Sequence, residues 1–432
     1  MFENNTVNFY TLGCKLNFAE TSTISRDFRE NGFKIVSSEA KADISVINTC
    51  SVTDHADKKC RQLINKITRL NPNTFVVVVG CYAQLKPEEI TKISGVNLVL
   101  GTKDKFNILK FIQHKQQNDT SEFYSCDIES VKDFSSSYSY GDRTRCFLKV
   151  QDGCDYKCSY CTIPKARGGS RNDSIENTIK EAKKVAESGI KEIILTGVNV
   201  GDFGRSTNEN FIDLLKELEK VEGIERIRIS SIEPNLLTDE IIDFVANSKK
   251  FLPHFHIPLQ SGCNEVLKLM RRRYNTELFK HKIELIKQKM PNAFIGVDVI
   301  TGTRGETEEY FNLAYNFIKG LDISFLHIFP YSERANTDAL NIEYVVPISE
   351  RKERAKRLKE ISDKKHLQFY KNNIGNISNV LFEDYNNKGK IYGFTENYIK
   401  VEADYCESLI NKIVEVTIIG ISDSGTAIIK IN

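Results

Sequence analysis

The stretch VQDGCDYKCSYCTIPKARG places Cys154, Cys158 and Cys161 within eight residues, just after the apolar run FLKVQ. Three thiols at this spacing have three ordinary explanations: a structural zinc site, a redox pair, or unlinked core cysteines. Zinc normally takes four protein ligands, often as two separated pairs, and no second C-x-x-C occurs in the chain. Thiolates also hold iron–sulfur clusters, one protein ligand per iron. Three thiolates on a four-iron cluster would leave one iron open, a place for another molecule to bind.

Three more cysteines are spread upstream, in TLGCKLN (Cys14), INTCSVT (Cys50) and VGCYAQ (Cys81). Each directly follows an expected strand, so all three fall on one edge of a parallel sheet. That edge is where ligands collect in open α/β sheets. Alone, such cysteines are more often core residues, because free cysteine is among the most buried types. The remaining five, Cys60, Cys126, Cys146, Cys263 and Cys406, share no spacing and read as core or surface thiols.

Elements must position these thiols. Up to about residue 112, the strands VNFYTLG, DISVINT, FVVVVG and NLVLG alternate with amphipathic segments, which implies a parallel α/β domain over 1–112. Residues 113–143 are polar and serine-rich and read as a linker. Six strands then alternate with helices (FLKVQ, EIILTGV, RIRISSIE, HFHIPLQ, AFIGVDVITG, ISFLHIF), which implies a partial (β/α) barrel of six strands over 144–367. Barrels put their chemistry at the C-terminal ends of strands, where the cysteine loop sits. After a charged helix, short strands broken by NNKG, ENY and DSG imply a small all-β barrel over 368–432.

Composition sets the outer bounds. With 40% hydrophobic and 27% charged residues the chain is globular rather than disordered. MFENNTVNFYTLGC lacks the features of a signal peptide, and FVVVVG is far too short to span a bilayer, so a cytoplasmic protein is expected. Eleven cysteines, an odd number, do not suit a disulfide framework in that compartment. A net charge of +2 means that any nucleic-acid surface is local.

The motif CDYKCSYC resembles the signature of radical S-adenosylmethionine enzymes, in which the cofactor chelates the open iron. The whole layout is similar to the methylthiotransferases, which carry three cluster cysteines in an N-terminal domain and end in a TRAM domain. NTCSVTDHADKKCRQLI and GCYAQ most resemble the branch acting on threonylcarbamoyladenosine in tRNA. The resemblance implies two 4Fe-4S clusters, one on Cys154, Cys158 and Cys161 and an auxiliary one on Cys14, Cys50 and Cys81. It also implies that one S-adenosylmethionine methylates a sulfur while a second is cleaved to a radical. The expected product is the 2-methylthio form of N6-threonylcarbamoyladenosine beside the anticodon. Expected partners are tRNA and an external flavodoxin- or ferredoxin-like electron donor, with no membrane, and the chain is expected to be a monomer. The alternatives are isopentenyladenosine tRNA or a ribosomal protein as substrate, or a non-catalytic, metal-stabilised RNA-binding module.

Strand-end residues then become cofactor candidates: Tyr160, Gly197, Ser231, Glu233, Gln260 and Asp298. Where many members of the family carry a Gly-Phe-Pro-Gly-Glu-Thr turn, this chain has GTRGET, and Thr303 and Arg304 receive no role. For RNA, the candidates are Arg271–Arg273, the RKERAKRLKE helix, and the aromatics Tyr385, Tyr392, Phe394 and Tyr398 of the last barrel.

Overall fold

The computed structural model describes residues 4–113, 121–141, 144–387 and 389–432, with the backbone alone for 385–387. ISVINT and FVVVVG are apolar on both faces, and they become the fully buried strands Ile44–Thr49 and Phe75–Gly80 of a parallel sheet. Its order is Lys34–Ile35, Thr6–Thr11, Ile44–Thr49, Phe75–Gly80, Val96–Leu100 and Glu122–Tyr124. The last strand comes from the expected linker. The same segment also supplies Ser137–Tyr138, which pairs antiparallel with the first barrel strand, Arg145–Lys149. It is thus a structural strap that edges both sheets.

All six expected barrel strands form. Arg145–Lys149, Glu192–Thr196 and Arg226–Ile229 make one parallel sheet, and His254–Gln260, Phe294–Thr301 and Phe325–Pro330 another. Bridges at Ile227–Phe251 and Ser231–His256 join them into one open barrel. Side chains alternate along each strand. Residues such as Leu148, Ile193, Ile227, Ile257 and Val297 enter the large core beneath the helices. The alternate positions form the other face, and several are charged.

At its lower end that face carries a buried carboxylate, Glu192, in ion pairs with Arg228 at 2.8 Å and Arg226 at 2.9 Å. Burial opposes its ionisation, but Arg228, Arg226 and Arg145 hold it below the usual carboxylate range. The same arginines reach into the C-terminal barrel. Arg228 donates to the carbonyls of Thr395 and Glu396, both at 2.7 Å, and Arg226 donates to Thr395 at 2.9 Å. The C-terminal barrel is closed, in the order Ile377–Asn387, Lys390–Phe394, Lys400–Asp404, Ala427–Ile431 and Ile413–Ile421. The helix Ile348–Lys371 leads into it, and Phe369 and Tyr370 of that helix join its core with Phe294.

Two expectations about RNA contacts are revised. Phe394 and Tyr398 stack at 4.8 Å, but they lie beneath Arg145 and beside His254, at the junction between barrels. Tyr392 lies under Lys400, and the side chain of Tyr385 falls outside the described residues. The basic runs are also partly internal. Arg351 and Arg354 are buried, with Arg354 paired to Glu306 at 2.7 Å, and Arg272 is turned inward. Arginine serves here as a buried staple because its planar fork satisfies several acceptors at once.

Removing one member of a buried ion group leaves the others uncompensated. Glu192→Ala should therefore cost about 3–5 kcal/mol of stability, read as a lowered urea midpoint. A cost below about 1 kcal/mol would show that the carbonyls of the C-terminal barrel suffice for the arginines.

Candidate active site

Strand register explains how distant cysteines meet. Thr11 pairs with Asn48, and Thr49 pairs with Gly80, so Cys14, Cys50 and Cys81 lie just past the ends of three adjacent parallel strands. Two glycines permit the tight exits. A Cβ on Gly13, whose φ is +112°, would lie 2.8 Å from the Cβ of Cys50; one on Gly80, at φ +100°, would strike Asn48 and Thr49 at 2.5 Å. Asn17 ties the strand ends by donating to the carbonyls of Leu12 at 2.8 Å and Thr49 at 3.1 Å. Burial pushes the Cys50 thiol up to about 12, and the nearby Cys81 and Cys14 add to the effect.

The second triad lies in a loop that folds back on itself. A Cβ on Gly153 would lie 1.9 Å from the carbonyl oxygen of Gly169, so only glycine lets the two passes touch. The backbone N–H of Tyr156 donates to Sγ of Cys154 and that of Ile163 to Sγ of Cys161, both at 3.4 Å. Arg272 donates to Sγ of Cys158 at 3.1 Å and pairs with Glu233. The three cysteines line a cavity of about 510 Å³, together with Gly168, Gly169 and Asn336. Burial, then Cys158, raises the Cys161 thiol to about 12, and burial raises Cys154 as well. Uncomplexed, these thiols keep their protons, and a metal would displace them. Soft donors in threes fit an iron–sulfur cluster at each triad, and at the second triad N–H groups and a guanidinium are also aimed at sulfur.

One guanidinium joins the two triads. Arg167, on the short helix Ile163–Arg167 after Cys161, donates to Asn17 at 2.7 Å, Glu20 at 3.0 Å and Asp152 at 2.9 Å. Glu20 also pairs with Lys105 at 2.6 Å and Lys149 at 3.1 Å, and Lys149 pairs with Asp152 at 2.7 Å. All five charged groups are buried. Burial opposes ionisation of Glu20, but Arg167, Lys105 and Lys149 hold its carboxyl below the usual range; burial itself lowers Lys105 to about 8. A second staple pins the loop after Cys50: Arg334 pairs with Asp54 at 2.5 Å and Asp57 at 2.9 Å and donates to Ser51 at 2.7 Å.

The expected cofactor residues are distributed around the barrel mouth. Tyr160 packs its ring among Cys263, Val266 and Met270, leaving its backbone between two cysteines. Gly197 accommodates Gln151, whose Oε1 accepts from the backbone of Val198 and Asn199, so its close approach is to protein. Ser231 bridges to His256. Glu233 is held by Arg272. Gln260 adopts φ +64° at a bulge in its strand, an unusual conformation for a residue other than glycine. Asp298 bonds Nε2 of His256 at 2.7 Å. Arg304 of GTRGET pairs with Glu333 and donates to the carbonyl of Leu340, a stapling role. Of the other cysteines, Cys60, Cys146 and Cys263 are buried, Cys126 is half-buried and Cys406 is exposed.

Three residues not singled out by sequence, His256, His327 and Lys15, complete a polar chamber around Asp298. His256, Asp298 and His327 stand on three neighbouring strands, with donor atoms within 4.8 Å of one another. Lys15, next to Cys14, is half-buried within electrostatic reach of Asp298 and Tyr398 and has no ion pair among the described residues. The signal was present in the alternation of RIRIS, HFHIP and FLHIF, where every second residue avoids the core.

Two family models match the chain: an uncharacterised protein family, UPF0004, over residues 6–101, and the radical SAM superfamily over residues 148–318. The chain is 42% identical to the threonylcarbamoyladenosine tRNA methylthiotransferase MtaB of Bacillus subtilis, covering 96% of this chain and 94% of that protein. It is 38% identical to the protein of the same name from Aquifex aeolicus, covering 92% and 96%. It is also 32% identical to the tRNA-2-methylthio-N(6)-dimethylallyladenosine synthase of Clostridium tetani, covering 94% and 92%. Among solved structures, the radical S-adenosylmethionine methyltransferase TsrM of Kitasatospora setae shares the fold, with a TM-score of 0.54 at 16% identity, covering 76% and 75%.

With two triads of four irons each, the anaerobically reconstituted chain should hold about eight irons. Gly13→Ala, whose Cβ would crowd Cys50, should drop that to about four irons per chain by colorimetric assay. Full iron content in this variant would show that Cys14 and Cys50 do not share a cluster.

Proposed function

Since the chain belongs to the radical S-adenosylmethionine methylthiotransferase family, we propose that it converts N6-threonylcarbamoyladenosine beside the tRNA anticodon to its 2-methylthio form. The observation that carries this reading is the pair of three-cysteine sites bolted to each other through Arg167. Bound there, the clusters and S-adenosylmethionine supply hydrogen abstraction at one site and a sulfur to be methylated and transferred at the other. The chain's own residues orient the participants. Arg272 fixes the Glu233 carboxylate, which in this reading would accept from the ammonium or ribose of the cofactor. Tyr160, Gly197, Ser231, Gln260 and Asp298 complete the proposed cofactor surround.

The chamber favours the threonylcarbamoyl substituent over a dimethylallyl one. In this reading Lys15 offers charge to a carboxylate-bearing group, whereas an apolar group would strip water from that cation and from the chamber histidines without replacement. One chain carries both triads, and we read the enzyme as a monomer. Reductive cleavage of the sulfonium consumes an electron, so an external flavodoxin- or ferredoxin-like donor belongs to the reading. Among the described residues no helix is long and apolar enough to cross a membrane. We place the enzyme in the cytoplasm, with its tRNA.

A division of labour follows. A chain carrying Cys14→Ala, Cys50→Ala and Cys81→Ala should still release 5′-deoxyadenosine under strong reduction but form no 2-methylthio nucleoside by mass spectrometry. The reciprocal triple variant at Cys154, Cys158 and Cys161 should lose both products. Methylthiolation by a folded upstream variant would refute the assignment of sulfur delivery to that triad.

A further inference from the structure

The strand Phe325–Pro330 is an edge of the open barrel, and the helix Ile348–Lys371 runs beside it, with Ser362 donating to the carbonyl of Leu326. Between them lies a groove of about 550 Å³ lined by Phe325, His327, Phe329, Lys352, Lys356 and Lys359, and by no carboxylate among the described residues. Phe329 is 48% exposed. Lys352 and Lys356 make no ion pair among the described residues, while Lys359 pairs with Asp363. Arg351 donates to the carbonyls of Tyr331 at 3.1 Å and Val346 at 2.8 Å. That staple brings exposed Tyr344, Val345 and Ile348 to the end of the strand. At its inner end the groove reaches His327, whose ring lies 5.0 Å from that of His256 in the chamber.

We infer that this groove docks the single-stranded anticodon loop of the substrate RNA, with Lys352 and Lys356 on phosphates and Phe329 stacked on a base beside the one entering the chamber. The inference rests on tRNA being the substrate. A charge run on a helix is ordinarily a solvated face. Three features set this one apart: unpaired lysines, exposed aromatic surface on the facing strand, and continuity with the chamber. Unpaired cations beside exposed rings suit single-stranded nucleic acid, which is held by phosphate contacts and stacking. An acidic electron-donor protein would also suit the charge, but it needs only proximity to a cluster, not a path into the chamber.

The test uses the full-length, reconstituted enzyme and tRNA bearing threonylcarbamoyladenosine, with binding measured across a salt series. Lys352→Gln with Lys356→Gln should reduce the slope of log affinity against log salt by about one to two units. Phe329→Ala should weaken binding about five- to a hundredfold. Lys180→Gln with Lys183→Gln, on the helix Ile175–Glu187, should change neither. All these positions are on the surface, so folding and iron content should match the parent chain. If the parent binds tRNA and the groove variants bind it equally well, the groove is not the RNA site. If those variants keep tRNA binding but are reduced more slowly by a flavodoxin, the groove is the donor's docking face and the inference falls. If the parent chain itself does not bind tRNA, the substrate reading fails instead.

Discussion

The rest of the architecture depends on burying a small set of opposite charges between the first helix and the cysteine loop. Glu20 and Asp152 could not remain ionised there alone, because desolvation of an unpaired carboxylate is far too costly. Arg167, Lys105 and Lys149 compensate them, with Asn17 accepting one further guanidinium N–H. Such an arrangement adds little net stability compared with a well-packed apolar contact. What it adds is specificity of position, since a charged group accepts only the geometry that satisfies its partners. On the proposed reading, two sites that act on one substrate need that kind of fixed spacing more than they need extra stability.

The same device recurs at the other end of the barrel. Glu192 and its arginines fasten the C-terminal barrel through main-chain carbonyls, so that contact depends on backbone shape more than on particular side chains. Phe394 and Tyr398 belong to this junction. The terminal barrel is therefore a structural base for the catalytic barrel, whatever further contacts it makes with RNA.

Much of this was legible in the sequence, and the limits have physical causes. Cys14, Cys50 and Cys81 could be placed on one sheet edge because parallel strands put all their C-terminal ends on one side. The six barrel strands were legible from their apolar runs. Arg167, Glu20 and Lys149 were not, because a charged residue on a strand or helix looks solvated until its partner, more than a hundred residues away in sequence, is known. Arg272 was read as part of a surface cluster for the same reason, although it is buried. The edge strands Glu122–Tyr124 and Ser137–Tyr138 were obscured by composition: short edge strands need few apolar residues, because one side of each faces water.

The distribution of countercharges along the chain has a consequence for synthesis. Residues 1–112, with Cys14, Cys50 and Cys81 just past their strands, are made before the second cysteine loop. At that moment Glu20 has only Lys105 for a partner, and the sheet lacks its sixth strand. Lys149 and Arg167 arrive dozens of residues later. Until then Glu20 lacks two of its three partner cations, and the ion group that spaces the two triads cannot form. Fixed spacing of the two triads therefore waits on Arg167, and the first domain cannot set it alone.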